Sequence, residues 1–142
     1  MIDNLPADFR PESNVEIHKM DSSFVWSEDN IFFIYAMSNV DHTLEHAKRQ
    51  TDFFKSNYLS DTIKKRPMIC DVRTAKPIKK DVRDYYASET VGEYTEKFAF
   101  LVDSPVSMVI ANFAIGFTKM ETPLKIFRKK EDAILWCNDK LL

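Results

Sequence analysis

Apolar residues in the first third of the chain fall into short runs that predict strands. Val15 to Met20 alternates apolar and polar positions, which is typical of a strand with one solvated face, and Phe24 to Ser27 continues the extended structure. Ile31 to Met37 is wholly apolar and predicts an inner strand. Because a polar turn at residues 28–30 separates the last two runs, we expect an N-terminal antiparallel hairpin or meander.

After residue 40 the pattern alternates between helical spacing and short apolar runs. The predicted elements are a helix from Asp41 or Thr43 to about Asn57, a strand Met68 to Val72, a helix through Ile78, Val82 and Tyr85 that ends before Gly92, a strand Phe98 to Val102, a helix Ser104 to Phe117, a strand Leu124 to Phe127 and a last helix near Glu131 to Leu141. Such alternation implies parallel strands joined by right-handed crossovers. We therefore expect an α/β fold with a mixed central sheet, an N-terminal antiparallel hairpin and about four helices.

The helix predicted from Ser104 to Phe117 is apolar on nearly all sides. Its bulky residues form one stripe, which we expect to pack on the sheet: Val106, Ile110, Phe113 and Phe117. Its small residues form a second stripe, which we expect to meet a neighbouring helix or a second copy of the chain: Ser107, Ala111, Ala114 and Thr118. The sequence therefore predicts a homodimer interface or an apolar pocket on this helix, with these candidate residues: Ser107, Ala111, Asn112, Phe113, Ala114 and Phe117.

Composition limits the class of protein. With 142 residues, of which 44% are apolar and 30% charged, we expect one domain over residues 15–142, preceded by a loosely ordered arm over residues 1–14. A net charge of −2 argues against nucleic-acid binding, which depends on clustered positive charge. No apolar run approaches the roughly 20 residues of a membrane helix, and no leader pattern is present, so we expect a cytoplasmic protein without stable membrane insertion. The two cysteines, Cys70 and Cys137, are expected to be core residues.

The order of elements, with MICDVR before one helix and FAFLVDSPVS before the next, is similar to the STAS-like fold of bacterial anti-sigma-factor antagonists. RPMICDVRTAKPIKKDVRDYYASE, LVDSPVSMVIANFAIG, PLKIF and EDAILW look like a bacterial branch of small uncharacterised STAS-like domains. This resemblance covers about Val15 to Trp136. It implies the fold and a signalling role but no particular activity.

In the sigma-factor regulators, a serine at the start of one helix is phosphorylated by a partner kinase. The corresponding stretch here, Lys76 to Asp81, has no Ser or Thr, and the nearest hydroxyl belongs to Thr74. We therefore expect no phosphorylation switch of that kind.

Several residue groups could carry chemistry. Asp71 and Asp103 end two strands and are expected to bind loop N–H groups rather than to act as catalysts. His42 and His46 have the spacing of a two-histidine metal site, but no third ligand is evident, so we expect surface histidines and no metal or cofactor. Two basic clusters follow two strands that we expect to be parallel. They are expected to form a binding pole for an anion or acidic partner, or else a solvated face: Arg73, Lys76, Lys79, Lys80, Arg128, Lys129 and Lys130.

The leading hypothesis from the sequence is a non-enzymatic protein-interaction or signalling module that works through the Ser104 helix and the basic pole. The alternative is a carrier of a small apolar or amphipathic, lipid-like ligand. Its pocket would lie between that helix and the sheet, lined by Phe98, Phe100, Phe113 and Phe117. An enzyme of unknown class is ranked third, because the sequence shows no nucleophile with a recognisable base.

Overall fold

The computed structural model describes residues 1–109, residue 111 and residues 122–139. These residues form a six-stranded sheet in which each strand pairs with the next one along the chain. The strands are β1 (His18–Lys19), β2 (Ser23–Glu28), β3 (Ile31–Ala36), β4 (Arg66–Asp71), β5 (Thr95–Leu101) and β6 (Leu124–Phe127). The pairs β1–β2 and β2–β3 are antiparallel, and the pairs from β3 to β6 are parallel. The mixed sheet with an N-terminal hairpin is therefore confirmed.

Helices connect the parallel strands, and a last helix follows β6. These helices are α1 (Leu44–Tyr58), α2 (Lys80–Tyr86), α3 (Glu89–Gly92), α4 (helical at residues 105–109 and 111) and α5 (Lys130–Asn138). A 3₁₀ turn at Ile2–Asn4 precedes the first strand. Thr43 caps α1, and its side chain accepts a hydrogen bond from the N–H of His46. The single helix predicted before Gly92 is divided into α2 and α3, because the Ser88 hydroxyl binds the Tyr85 carbonyl at the end of α2. No helix in the described part of the chain is long and apolar enough to cross a lipid bilayer.

The two faces of the sheet bury two separate hydrophobic clusters. Successive residues of a strand point to opposite faces, so Met68 and Cys70 of β4 join one cluster while Ile69 joins the other. One cluster lies under α1, α3 and the start of α4, and we call this side the crossover face. The other lies under α5 and the N-terminal residues, and we call it the arm face. Because the parallel strands advance in one direction across the sheet, right-handed crossovers bring their helices to one face and leave α5 on the other.

The first 14 residues do not form the loosely ordered arm that we expected. Leu5 and Phe9 are 3% and 0% exposed and belong to the arm-face cluster, where the ring of Phe9 lies 5.4 Å from that of Trp26. The Glu28 carboxylate accepts a hydrogen bond from the N–H of Ser13 at 2.6 Å. Two isolated apolar residues in a segment with two prolines give no periodic signal, which is why the sequence pattern missed this packing.

The two sides of α4 are reversed relative to the prediction, as far as the helix is described. Ser107 and Ala111 of the small stripe are 1% and 0% exposed, whereas Val106 of the bulky stripe is 61% exposed. Since β5 brings bulky phenylalanines to the same cluster, small residues on the helix let it approach the sheet closely. Ala111 is therefore part of the chain's own core. The remaining candidates on this helix lie outside the described residues: Asn112, Phe113, Ala114 and Phe117.

Candidate functional site

A cavity of about 100 Å³ lies on the crossover face, between the sheet and helices α1 and α2. Its floor consists of apolar side chains from four strands: Ile34, Cys70, Phe98, Phe100 and Leu124. Its walls come from α1, α2 and the loops after β3 and β4: Met37, Val40, His42, Gln50, Val72, Ala75, Lys76, Ile78, Arg83, Tyr86 and Ala87. A second void of about 10 Å³ adjoins it and shares Ile34, Gln50, Tyr86 and Phe98. The structure thus brings residues distant in sequence around one mainly apolar space.

His42 joins two segments of the cavity wall. Its Nδ1 lies 2.6 Å from the Ser22 hydroxyl, and its Nε2 lies 2.5 Å from the Tyr86 hydroxyl. Burial lowers the pKa of His42 from 6.5 to about 4, with a smaller contribution from His46, so the ring is neutral at pH 7. Burial also raises the pKa of Tyr86 well above 10. This part of the wall is therefore polar but uncharged.

Further hydrogen bonds hold α1 against the sheet and α2. The Ser23 hydroxyl donates to Oε1 of Gln50 at 2.8 Å, which ties β2 to α1. The Tyr85 hydroxyl donates to Oγ1 of Thr51 at 2.9 Å, and Thr51 lies 2.7 Å from the Tyr94 hydroxyl. Buried polar groups that bind one another in this way do not lower stability as unpaired groups would. The helices above the cavity are thus fixed by polar contacts as well as by apolar packing.

The charged residues that line the cavity are cationic. Lys76 and Arg83 both belong to the lining, and none of the described lining residues is an aspartate or a glutamate. Nζ of Lys76 pairs with Asp41 at 2.9 Å, and both side chains are well exposed at 44% and 76%. The cavity therefore has a positive border in a protein whose net charge is −2.

Asp71 lies on the opposite side of the sheet from this cavity. It is fully buried, and its Oδ1 accepts hydrogen bonds from the backbone N–H and Nε of Arg73 at 3.0 Å each. The guanidinium also donates to both carboxylate oxygens of Asp8 at 2.7 Å. Arg73 holds the pKa of Asp8 below its usual range through these bonds. This cluster ties the N-terminal segment to the end of β4, so Arg73 has a structural role within the chain.

The other basic residues expected to form one pole have different surroundings. Lys130 is buried, and its Nζ donates to the carbonyl of Arg10 at 2.6 Å. Lys80 pairs with Asp84 along α2 at 2.7 Å. Of the seven predicted residues, Lys76 is the one that borders the cavity. Five are exposed on the surface: Lys76, Lys79, Lys80, Arg128 and Lys129.

The two histidines were expected to be surface residues, but both are partly buried. His42 precedes α1 and lines the cavity, whereas His46 lies in the first turn of α1 and takes part in its cap. Among the described residues, no group of three His, Cys, Asp or Glu side chains is arranged to hold a metal ion.

The Ser22–His42 pair has the spacing of a nucleophile and its base. However, a general base is most effective when its pKa lies near the working pH. With a pKa of about 4, His42 is a weak base at neutral pH, and Ser22 is only 4% exposed. The pair is better suited to orienting a bound molecule than to activating a hydroxyl.

No sequence pattern identifies the polar residues that line the cavity: Ser22, Ser23, Gln50, Arg83 and Tyr86. They come from three separate segments, so no spacing along the chain connects them. The one available signal was the polar pair Gln50–Thr51 on the inner side of a predicted amphipathic helix.

Comparisons with known proteins identify a family and a fold. The profile of a domain of unknown function, DUF7793, matches residues 25–140. No curated protein matches the sequence. Among solved structures, the chain is similar to an uncharacterised protein of the DUF3478 family from Shewanella loihica PV-4 with a SpoIIAA-like fold. That match has a TM-score of 0.56 and 16% identity, and covers 87% of this chain and 91% of the other. This match confirms the STAS-like fold, and at 16% identity it supports no statement beyond the fold.

Proposed function

Since the chain belongs to the DUF7793 family of domains of unknown function, we propose a function from its own geometry: a non-enzymatic module that binds a small, mainly apolar molecule in the cavity of the crossover face. The SpoIIAA-like fold, which is typically non-enzymatic, supports the first part of this proposal. The cavity itself supports the second part.

The observation that carries the proposal is an apolar floor beneath an ordered polar wall. Phe98, Phe100 and Leu124 give a ligand apolar contact, while Ser22 and Tyr86 offer a few fixed polar groups, a combination typical of small-molecule sites. Left unfilled, an apolar cavity of this volume would lower stability by roughly 2 kcal/mol at about 24 cal/mol per Å³. A bound molecule would restore that free energy. An engineered apolar cavity of about 150 Å³, somewhat larger than this one, binds benzene.

The position of α2 suggests how binding would be passed to the surface. Tyr86 and Ala87 at the end of this short helix line the cavity, whereas Lys79 and Lys80 at its start are exposed. A ligand that contacts the end of α2 would therefore bias the position of the whole helix relative to the sheet. The module would then present α2 differently to a partner in its two states.

Ligand binding is tested by adding benzene or toluene while methyl NMR signals of Ile34 and Leu124 are followed. Both residues line the cavity, so their signals should shift in the unmodified protein. Ala87→Leu should abolish the shifts, because the larger side chain enters the cavity. Ala7→Leu, the same change at an exposed position, should leave them intact. Absence of shifts in the unmodified protein, or equal shifts in Ala87→Leu, would refute the proposal.

A protein-interaction surface on α4 is a second candidate, favoured by the exposure of Val106 and Val109 at 61% and 50%. These side chains lie three residues apart and therefore on one side of the helix. If this side forms a homodimer contact, Val106→Asp with Val109→Asp should produce a monomer in sedimentation experiments. A chain that is monomeric without these changes would remove the dimer from consideration.

A further inference from the structure

Resting on the proposed ligand-binding function, we infer that the bound molecule carries a carboxylate. The site would then select small aromatic or short aliphatic carboxylic acids over alcohols and amines of the same shape.

The lining is cationic although the chain as a whole is not. The sequence has 22 acidic and 20 basic residues, yet Lys76 and Arg83 are the charged side chains among the described residues that line the cavity. A carboxylate inside such a lining would be attracted by both cations, whereas an ammonium group would be repelled by them. Charge complementarity therefore favours an anionic ligand.

The two cations also come from the same part of the lining. Lys76 lies in the loop after β4 and Arg83 lies on α2, so both belong to the wall formed by residues 72–87. The floor opposite that wall is formed by Phe98 and Phe100, whose rings stack with centroids 4.7 Å apart. This separation suits a molecule with an apolar body on the phenylalanines and an anionic group toward α2.

Lys76 can change partners without becoming buried and unpaired. Its present partner, Asp41, is 76% exposed and lies outside the cavity lining, so the aspartate would be hydrated if it were released. An exposed ion pair of this kind is weak, which makes exchange for a ligand carboxylate inexpensive in free energy.

The neutral part of the wall limits the charge of the ligand. Because burial lowers the pKa of His42 to about 4, its ring adds no positive charge at neutral pH. The Ser22 and Tyr86 hydroxyls, which bind His42, are likewise neutral groups. Because Asp41 already lies beside Lys76, the cationic part of the wall carries less positive charge than two isolated cations would, which matches a monoanionic carboxylate better than a phosphate dianion.

Three ligands of nearly equal shape test the inference: benzoate, benzyl alcohol and benzylamine, titrated at pH 7.5 with binding followed by NMR. Benzoate should bind at least about ten-fold more tightly than benzyl alcohol, as expected for a hydrogen bond to a charged group. Benzylamine should bind more weakly than either. Phenyl phosphate serves as a fourth ligand, and tighter binding of phenyl phosphate than of benzoate would overturn the assignment of the charged group.

Substitutions at the cations locate the selectivity. Lys76→Met should remove most of the preference for benzoate and leave benzyl alcohol binding unchanged. Arg83→Met should have the same effect on the folded protein, and thermal unfolding measures how much of that variant is folded. Lys79→Met, a matched change at an exposed lysine that does not line the cavity, should alter neither. If benzyl alcohol binds as tightly as benzoate and both are lost in Ala87→Leu, the carboxylate inference fails while the cavity function stands. If none of the compounds binds the unmodified protein, the proposed function itself fails.

Discussion

On the arm face of the sheet, buried charged groups bond to the chain itself. Asp71 holds Arg73, and Lys130 donates to a backbone carbonyl of the N-terminal segment. The rings of Phe9, Trp26 and Phe33 fill the space beside them, with centroids 5.3 to 6.0 Å apart. On the crossover face, neutral hydroxyls, an imidazole and two cations border a cavity instead. Among the described residues, fully buried charge therefore marks the side that stabilises the fold, and the candidate site lies on the other side.

The largest expected effect tests whether the N-terminal segment belongs to the arm face. Phe9→Ala should lower the free energy of unfolding by about 3 to 5 kcal/mol, because a fully buried ring is removed from close packing. Urea denaturation measures this change. Phe53→Ala, the same substitution at a half-buried ring of α1, should cost clearly less. A loss below about 1 kcal/mol at Phe9 would mean that the segment is loosely attached after all.

The second prediction uses the lowered pKa of His42 on the crossover face. The unfolded chain binds a proton at this histidine below about pH 6.5, whereas the folded chain does so only near pH 4. Stability should therefore be greatest above pH 6.5 and should fall by up to about 3 kcal/mol as the pH is lowered to 4. His42→Gln should flatten the curve in this range.

The ion-paired carboxylates of Asp8 and Asp41 contribute to stability in a different pH range. Asp8 and Asp41 have pKa values lowered below 3.8 by Arg73 and Lys76, so their contributions are lost at lower pH. Urea denaturation at several pH values between 4 and 7 separates the two ranges. If stability depends on pH with the same slope in the unmodified protein and in His42→Gln, the pKa of His42 is not lowered in the folded state.

A third prediction compares packing on the two faces by one substitution. Ala133→Leu on the arm face should lower stability by about 1 to 3 kcal/mol, because Ala133 is fully buried against the cluster. Ala87→Leu borders the cavity and should change stability by less than about 0.5 kcal/mol or increase it, as cavity-filling changes often do. Thermal unfolding of both variants measures these two changes in stability. Equal losses would mean that the crossover face has no room for added atoms.

The smallest expected effect concerns the exposed lysines at the start of α2. Lys79→Ala with Lys80→Ala should change stability by no more than about 0.5 kcal/mol, because the lost pair with Asp84 is exposed and positive charge is mildly unfavourable at a helix start. Benzoate binding should stay the same in NMR titration. Weaker binding in this double variant would shift the site from the cavity to the outer surface.

The sequence was sufficient for the sheet but not for the candidate site. Continuous apolar runs such as Ile31–Ala36 identify inner strands because both their sides are buried. A helical wheel shows stripes but not which stripe faces inward, so Val106 and Ser107 were assigned to the wrong sides of α4. Charge was a misleading guide as well. Arg73 and Lys130 serve the fold, and the cavity depends on tertiary contacts between Ser22, His42 and Tyr86 that no local pattern encodes.

The difference between the two faces can be tested directly by exposing a crystal of the protein to xenon under pressure. The bound xenon atoms are then located by their anomalous scattering. Xenon enters apolar cavities without needing a charged partner, so the measurement is independent of the ligand's polar group. We expect a strong peak between Phe98, Phe100 and Ala87, and none between Trp26, Phe33 and α5. An absent peak at the first position, or a peak of equal height on the arm face, would contradict the assignment of the crossover face as the ligand-binding side.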